Sequence, residues 1–524
     1  MSFFPAHQDN ALPASWTIAS LNDVTELNPR PNLSALPDGM EVHFVPMAAA
    51  AEDFRGLDIS ARRRLSEVRK GYTAFQGGDV LLAKITPCME NGKGGLVPML
   101  PMHLAFGSTE FHVLRPTDVI EGRWLSHFLS RPSFRREARQ NMTGTAGQLR
   151  VPSKWLANVK IPVAPKSEQA RVIAKLEELL SDLDAGVAEL KAAQQKLQRY
   201  RQSLLKAAVE GALTAEWRAK NPPTETGAEL LQRILGERRA RWEEQQLAKF
   251  AAQGKTPPKG WKDKYPEPQP PKTEGLPELP EGWVWASVNQ IVADSSYGTS
   301  AKCAYDSPGV PVLRIPNISR GELDFRDLKH ATVDLALERG DELQSGDVLV
   351  IRTNGSIGLV GRCAAVIATP DKPHYFASYL VRLRCVESTA SHRWIATFLT
   401  STRGRRWLEA RAASSAGQHN ISLSSLLTTP VPLPALEEQL KSLLMLAEGL
   451  EAIDRYERAV CTSLAQSAAQ RQNLLRAAFR GELVPQDPND EPASVLLERL
   501  RAERGGAVKP ARAERKGRKT KGAA

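Results

Sequence analysis

Residues 78–95 read GDVLLAKITPCMENGKGG, and residues 346–362 read GDVLVIRTNGSIGLVGR. Both open on Gly-Asp, run into an apolar stretch (Val80-Leu81-Leu82-Ala83 and Val348-Leu349-Val350-Ile351) and end in a polar loop rich in glycine. That order predicts a turn, a strand and a second turn. The two stretches lie 268 residues apart and belong to a longer register. Leu12-Pro13 and Trp16 return as Leu279-Pro280 and Trp283. Trp124, Phe128, Leu129, Arg135 and Arg136 return as Trp394, Phe398, Leu399, Arg405 and Arg406. Gly147-Gln148, Pro162 and Glu168-Gln169 match Gly417-Gln418, Pro432 and Glu438-Gln439, and Leu204–Ala208 returns at Leu474–Ala478. Chance does not hold one register over so many positions, so the chain is an internal duplication.

Each half has two parts. Residues 1–165 and 280–434 mix short β-branched and aromatic runs with Gly and Pro turns, and turn helical near Trp124 and Trp394. They are expected to be α+β globules, each with a curved, mostly antiparallel sheet. Residues 166–214 and 435–484 are expected to be long helices, and Pro165 and Pro434 stand just ahead of them as start signals. Leu176, Leu180, Leu183, Val187, Leu190, Gln194, Leu197, Arg201 and Leu204 alternate steps of four and three, a coiled-coil seam. The second copy keeps it at Leu446, Leu450, Ile453, Glu457, Val460, Leu464, Ser467, Arg471 and Leu474, with polar intruders. About 40 residues at 1.5 Å each predicts a rod of roughly 60 Å, and two rods in one chain should pair. Residues 215–279 are expected to hold a helix (Glu229 to Trp242) and a linker whose prolines favour extended or loop structure. Residues 485–524 read as a short helix around Val495–Arg499 and a disordered basic tail.

A chain of 524 residues holds two to four domains. Of its formal net charge of +11, the stretch from Arg504 to Lys521, with eight Lys or Arg against Glu514, contributes +7 and leaves +4 for the rest. That body is compatible with a polyanionic partner without demanding one. Five scattered cysteines suit a reducing cytoplasm. The opening run MSFFPAHQDNALPASW has neither a basic start nor an apolar stretch, so no secretion signal is expected. No apolar run approaches the roughly 18 residues of a membrane span.

Two α+β globules alternating with two long helices, duplicated within one chain, resemble the specificity subunits of type I restriction-modification systems. The two Gly-Asp stretches are similar to the strand and loop of that family's target-recognition domains. TGTAGQLRVPSKWLANVKIPVAPKSEQARVI and SSAGQHNISLSSLLTTPVPLPALEEQLKSL resemble the end of each such domain and its entry into a helix. The resemblance implies an α+β fold with two target-recognition domains joined by two long antiparallel coiled-coil helices in a pseudo-twofold repeat. It implies a non-catalytic, cytoplasmic subunit that reads an asymmetric bipartite site in double-stranded DNA. The implied partners are two modification subunits, which use S-adenosylmethionine to methylate adenine, and a restriction subunit, which uses ATP and Mg2+ to translocate and cleave. The chain itself then needs no cofactor. A rod of roughly 60 Å is long enough to reach successive major grooves, about 34–36 Å apart or a multiple.

Within that resemblance the candidate DNA contacts are Lys84, Thr86, Asn91 and Lys93 after the first Gly-Asp strand, and Arg352, Thr353, Asn354 and Ser356 after the second. Lys and Arg donate to guanine or phosphate, and Asn pairs with adenine. The competing reading is an ordinary polar hairpin. Gln148 and Gln418, in small-residue loops, fit base readout or a turn that positions the rod. Arg135, Arg136, Arg405 and Arg406 suit phosphates or a solvated helix face. The tryptophans Trp16, Trp124, Trp283 and Trp394 read as core anchors.

Several patterns that invite an enzymatic reading fail. Asn221-Pro222-Pro223 begins like an adenine-methyltransferase motif, but Thr224 stands where an aromatic should stack on the flipped base. Glu189-Leu190-Lys191 below Asp182 and Asp184 has nuclease-like spacing but falls on the rod. No phosphate-binding glycine loop is present. A self-contained methyltransferase or nuclease, and a coiled-coil scaffold without sequence-specific DNA binding, remain the two alternatives.

Overall fold

The computed structural model describes residues 12–34, 36–100, 104–145, 147–319, 321–333, 342–386, 391–415 and 417–506. The first residues and the basic tail named above lie outside the described residues. The chain forms two compact units, Met1–Leu190 with Cys461–Ala524, and Lys191–Val460. Each unit therefore holds one α+β globule and a stretch of both long helices.

The Gly-Asp stretches become strands, Val80–Ala83 and Asp347–Ile351. In the first unit the neighbours run Thr25–Leu27, Phe111–Pro116, Val80–Ala83 and Gly94–Leu96, all antiparallel. The second unit repeats the sheet with Val292–Tyr297, Leu380–Cys385, Asp347–Ile351 and Cys363–Ala365. The apolar runs lack polar alternation because both faces are covered. Val80 and Leu82 join one core cluster while Leu81 and Ala83 join another, and Val348 and Val350 are separated from Leu349 and Ile351 in the same way. The expectation of a single sheet per globule needs correcting. A further four-stranded sheet (Arg62–Arg64, Glu41–Val45, Ala105–Gly107, Thr73–Phe75) supplies Val45, Phe75 and Ala105 to the outer cluster, and its middle pair is parallel. In the second unit the matching layer has a different order: Cys303–Ala304, Lys329–Ala331, Pro311–Leu313 and Tyr375–Phe376, with the parallel pair at the edge.

The repeated Gly-Asp has a physical cause. Gly78 and Gly346 take φ of 87° and 93°, a region that disfavours a side chain. The aspartates that follow are buried. Asp79 accepts from the Gln76 amide at 2.8 Å and from Arg115 at 2.8 and 2.9 Å. Asp347 accepts from the Gln344 amide at 2.9 Å and from Arg384 at 2.7 and 2.9 Å. Each carboxylate ties its own turn to the neighbouring strand. Trp124 and Trp394 are core anchors: their indoles donate to the Pro162 and Pro432 carbonyls at 3.0 and 2.6 Å and lie edge-on to Trp16 and Trp283.

The long helices are Lys166–Val209, of 44 residues, and Leu436–Ala478, of 43. At 1.5 Å per residue each is about 65 Å long. Every seam position named above is buried or half-buried. The charged intruders make ion pairs across the seam. In the first unit Arg471 binds Asp184, while Leu475 and Ala478 join Leu176 and Leu180 in one core, so the helices run antiparallel there. In the second unit Arg201 binds Asp454 and lies 3.6 Å from Glu457, and Leu204 packs with Leu446, Leu450 and Ile453, again antiparallel. A charge inside a seam costs stability but fixes register. Arg201→Glu is therefore expected to lower the melting temperature. Adding Asp454→Lys with Glu457→Lys should recover part of the loss, with a coupling of about 0.5–3 kcal/mol in a mutant cycle read by thermal unfolding. Additive changes would mean that these charges do not set the register.

The repeated Glu-Gln pair opens each helix. Glu438 is buried and accepts from Thr214 (2.6 Å), Arg218 (2.6 Å) and the Trp283 indole (2.8 Å). In the first unit the Gln486 amide donates to Glu168 at 2.7 Å, and burial raises the Glu168 carboxyl above the usual range. The segment that follows one helix thus locks the start of the other. The helix after the first rod extends from Gly227 to Ala252, and the linker aromatics fold back on it, with Trp261 stacked on Trp242 at 5.9 Å and the Tyr265 hydroxyl bonded to Arg238 at 2.7 Å.

Candidate nucleic-acid interface

The chain leaving each Gly-Asp strand runs directly into contact with a second element, the hairpin that carries the repeated Gly-Gln. In the first globule the Lys84 amide donates to the Glu110 carbonyl at 2.9 Å, and the Lys84 carbonyl accepts from Val151 at 2.8 Å. Arg352 repeats both bonds with Tyr379 (3.0 Å) and Ile421 (2.8 Å). Two residues beyond Lys84, the Thr86 hydroxyl donates to the Gly147 carbonyl and accepts from the Leu149 amide, each at 3.2 Å. In the second globule Thr353 and Asn354 pair as a strand with Asn420 and His419. The hairpins, Thr143–Thr145 with Gln148–Arg150 and Ala413–Ser415 with Gln418–Asn420, share one register. Gly147 and Gly417 permit the tight reversal through φ of 84° and 77°. Gln148 and Gln418 are exposed beside it.

Two candidate groups, distant in sequence, therefore form one surface in each globule. Lys84, Thr86 and Gln148 come together in the first. Arg352, Thr353, Asn354 and Gln418 come together in the second. Ser356 is exposed nearby, and its amide donates to the Asn354 side chain at 2.8 Å, which shapes the loop tip.

Other candidates are engaged internally. Asn91 donates to Glu52 at 2.8 Å, and the Lys93 ammonium lies 3.5 Å from the Met47 carbonyl, so both face the 47–58 segment. Arg135 pairs with Asp53 at 2.7 Å and packs against Gly92, where a Cβ would fall 2.5 Å from its guanidinium. Arg405 does the same for the second loop, donating to the Val360 carbonyl at 2.5 Å beside Gly361. This pair braces the two glycine-rich loops. Arg136 and Arg406, one position on, are exposed.

Sequence reasoning missed several neighbours. Tyr297, exposed at the end of the strand Val292–Tyr297, carries the Arg352 guanidinium 4.5 Å over its ring, and Asn420 accepts from Arg352 at 3.3 Å. In the first globule Arg150 instead pairs with Glu110 through contacts of 2.9–3.2 Å, which hold the Glu110 carboxyl below the usual range. One framework thus carries different polar groups in its two copies. The consecutive Arg62-Arg63-Arg64 was legible as a basic run; Tyr297 carried no such signal.

His112, buried under the first surface, is held in one tautomer. Its Nε2 donates to the Val151 carbonyl at 2.8 Å, and its Nδ1 accepts from the Asn28 amide at 3.3 Å. Burial lowers its pKa from the ordinary 6.5. The unfolded imidazole gains a proton near that value and the folded one only at lower pH. Stability is thus present above this window and lost as pH falls through it. The melting temperature of the wild type should fall below about pH 6.5, and His112→Gln should flatten that part of the profile. An unchanged slope would remove His112 as its cause.

No protein-family model matches the chain. The specificity subunit of the Escherichia coli type I restriction enzyme EcoEI is 28% identical over 517 residues, covering 89% of this chain and 82% of that subunit. The corresponding EcoAI subunit is 28% identical over 434 residues, covering 74% and 70%. The chain is a homologue of type I specificity subunits. The likeness extends to the fold of this specificity-subunit homologue. A solved chain, described for complex assembly and conformational transition of the type I R-M system, matches it with a TM-score of 0.64 at 18% identity, across 90% of this chain and all of that one. The duplicated globules and paired helices are therefore the architecture that this homologue shares with such proteins.

Proposed function

We propose that this chain is the DNA-reading specificity subunit of a type I restriction-modification complex and carries out no chemistry itself. The observation that supports this most strongly is the paired loop-and-hairpin surface, built twice on one framework and furnished with different side chains. Lys84, Thr86 and Gln148 read one half of an asymmetric bipartite site, and Arg352, Thr353, Asn354 and Gln418 the other. Ser356, Arg136 and Arg406 add contacts at the margins, while Arg135 and Arg405 position the loops, as Asn91 and Lys93 do in the first. The recognition domains are 1–165 and 280–434, and the antiparallel helices 166–214 and 435–484 act as the ruler between half-sites. Residues 215–279 pack the end of the first helix against the second recognition domain, and the helix around Val495–Arg499 packs the end of the second helix against the first.

In this reading two modification subunits supply adenine methylation from S-adenosylmethionine, and a restriction subunit supplies ATP- and Mg2+-dependent translocation and cleavage. Among the described residues no helix is long and apolar enough to cross a membrane, and all five cysteines are free. We place the complex in the cytoplasm. The test is co-purification with the neighbouring modification subunit, followed by methyl transfer to plasmid DNA. Transfer by the assembled complex and none by either component alone is expected. Transfer by this chain alone would establish an enzyme; stable assembly without sequence preference would establish a scaffold.

A further inference from the structure

A cleft opens beside the first reading surface. Its floor is aromatic and apolar, with Phe106, Phe111 and Leu33, and its rim carries Arg30, Lys84 and Tyr72. Among the described residues no acidic residue lines it. Lys84 belongs to the reading loop, and Ser153, three residues beyond the hairpin strand that ends at Arg150, closes the same rim. The cleft is thus continuous with the loop-and-hairpin surface.

Tyr72 extends the cleft toward the Arg62–Arg64 edge strand. Its ring stands edge-on to Phe44 at 5.0 Å. Arg63 lies across both aromatics, 4.2 Å over Phe44 and 6.0 Å from Tyr72. In the strand pairing Arg63 is opposite Val42, and Phe44 follows two residues along the same face. The Arg63 guanidinium is therefore held over the Phe44 ring while exposed to solvent, a posture that costs little further ordering when an anion arrives. Among the described residues no carboxylate lies within ion-pair distance of Arg30, Arg63 or Lys84. Arg69, also on the rim, is different: it pairs with Asp38 at 3.0 Å.

We propose that this cleft and Arg63 form an anchor for the DNA backbone, in which Arg30 and Arg63 take phosphodiester oxygens next to the bases that Lys84 and Gln148 read. The proposal rests on the DNA-reading function above and adds residues with a different task. Phosphate contacts fix the register of a protein on the duplex and carry no sequence information. Each one released also removes about 0.9 from the slope of log affinity against log salt.

The experiment uses the assembled complex of this chain with its modification subunits, and two duplexes of about 30 base pairs, one carrying the motif methylated in vivo and one lacking it. Affinity is titrated between 50 and 200 mM salt for wild type, Arg30→Gln with Arg63→Gln, and Arg30→Lys with Arg63→Lys. The Gln pair is expected to lower the salt slope by about 1.8 and to weaken both duplexes about equally, roughly tenfold at 50 mM, with the methylated motif unchanged. The Lys pair should retain most of the slope. An unchanged slope in a Gln-pair complex that assembles normally would overturn the anchor, and so would a change in the preferred motif, which would make the cleft a base reader. A wild-type complex that fails to tell the two duplexes apart would instead overturn the DNA-reading function.

Discussion

Replacing Arg352 by alanine is expected to weaken binding of the assembled complex to its cognate duplex by about 10- to 100-fold, or about 1–3 kcal/mol. The loss should concentrate on one half of the recognition site, and binding to unrelated DNA should fall much less. The reason lies in how the side chain is held. Tyr297 supports the guanidinium from below at 4.5 Å, Asn420 accepts from it at 3.3 Å, and the backbone on both sides is pinned to Tyr379 and Ile421. An arginine ordered in advance loses less entropy per hydrogen bond to a base edge. Tyr297→Ala keeps the charge and removes the support, so it should show the same pattern to a smaller extent. Competition titrations with single-base-substituted duplexes measure both. A uniform loss across all sequences would make Arg352 a phosphate contact.

The second large effect concerns stability. Asp347→Ala is expected to destabilise the second unit by about 3–5 kcal/mol, because it leaves Arg384 without its buried partner and the Gln344 amide without an acceptor. For a unit of this size that corresponds to about 10 °C in melting temperature. Asp79→Ala should act in the same way on the first unit through Arg115 and Gln76. Differential scanning calorimetry of the purified complex follows each. A melting curve unchanged by Asp347→Ala would show that the repeated Gly-Asp is not what ties the turn to its sheet.

The duplication carried most of this architecture into view. A seam of leucines at four-three spacing could be read directly, because a period of 3.5 residues has one structural meaning. The split of each globule into two sheets could not be read in that way. Val80-Leu81-Leu82-Ala83 shows only that both faces are covered, and what covers the outer face comes from Val45, Phe75 and Ala105, short segments with weak individual signals. Arg201, Glu457 and Arg471 looked like defects in the seam because their partners lie on the opposite helix. At the candidate interface the repeated loop and the repeated Gly-Gln were each visible, but their union was not. It depends on hydrogen bonds between residues more than 60 apart, such as Thr86 with Gly147. The adjacent Arg135-Arg136 and Arg405-Arg406 look alike in sequence, yet helix geometry turns one arginine of each pair under the loop and leaves the other exposed.

The central claim is that each loop-and-hairpin surface reads its own half of one DNA site. Single-molecule methylome sequencing of a host expressing this chain with its modification subunit tests it most directly, comparing wild type with substitutions in Lys84–Lys93 or in Arg352–Ser356. The expected result is an asymmetric bipartite motif of methylated adenines in which each set of substitutions alters one half and leaves the other and the spacer intact. A motif unaffected by either set, or no motif at all from an assembled, cofactor-bound complex, would contradict it.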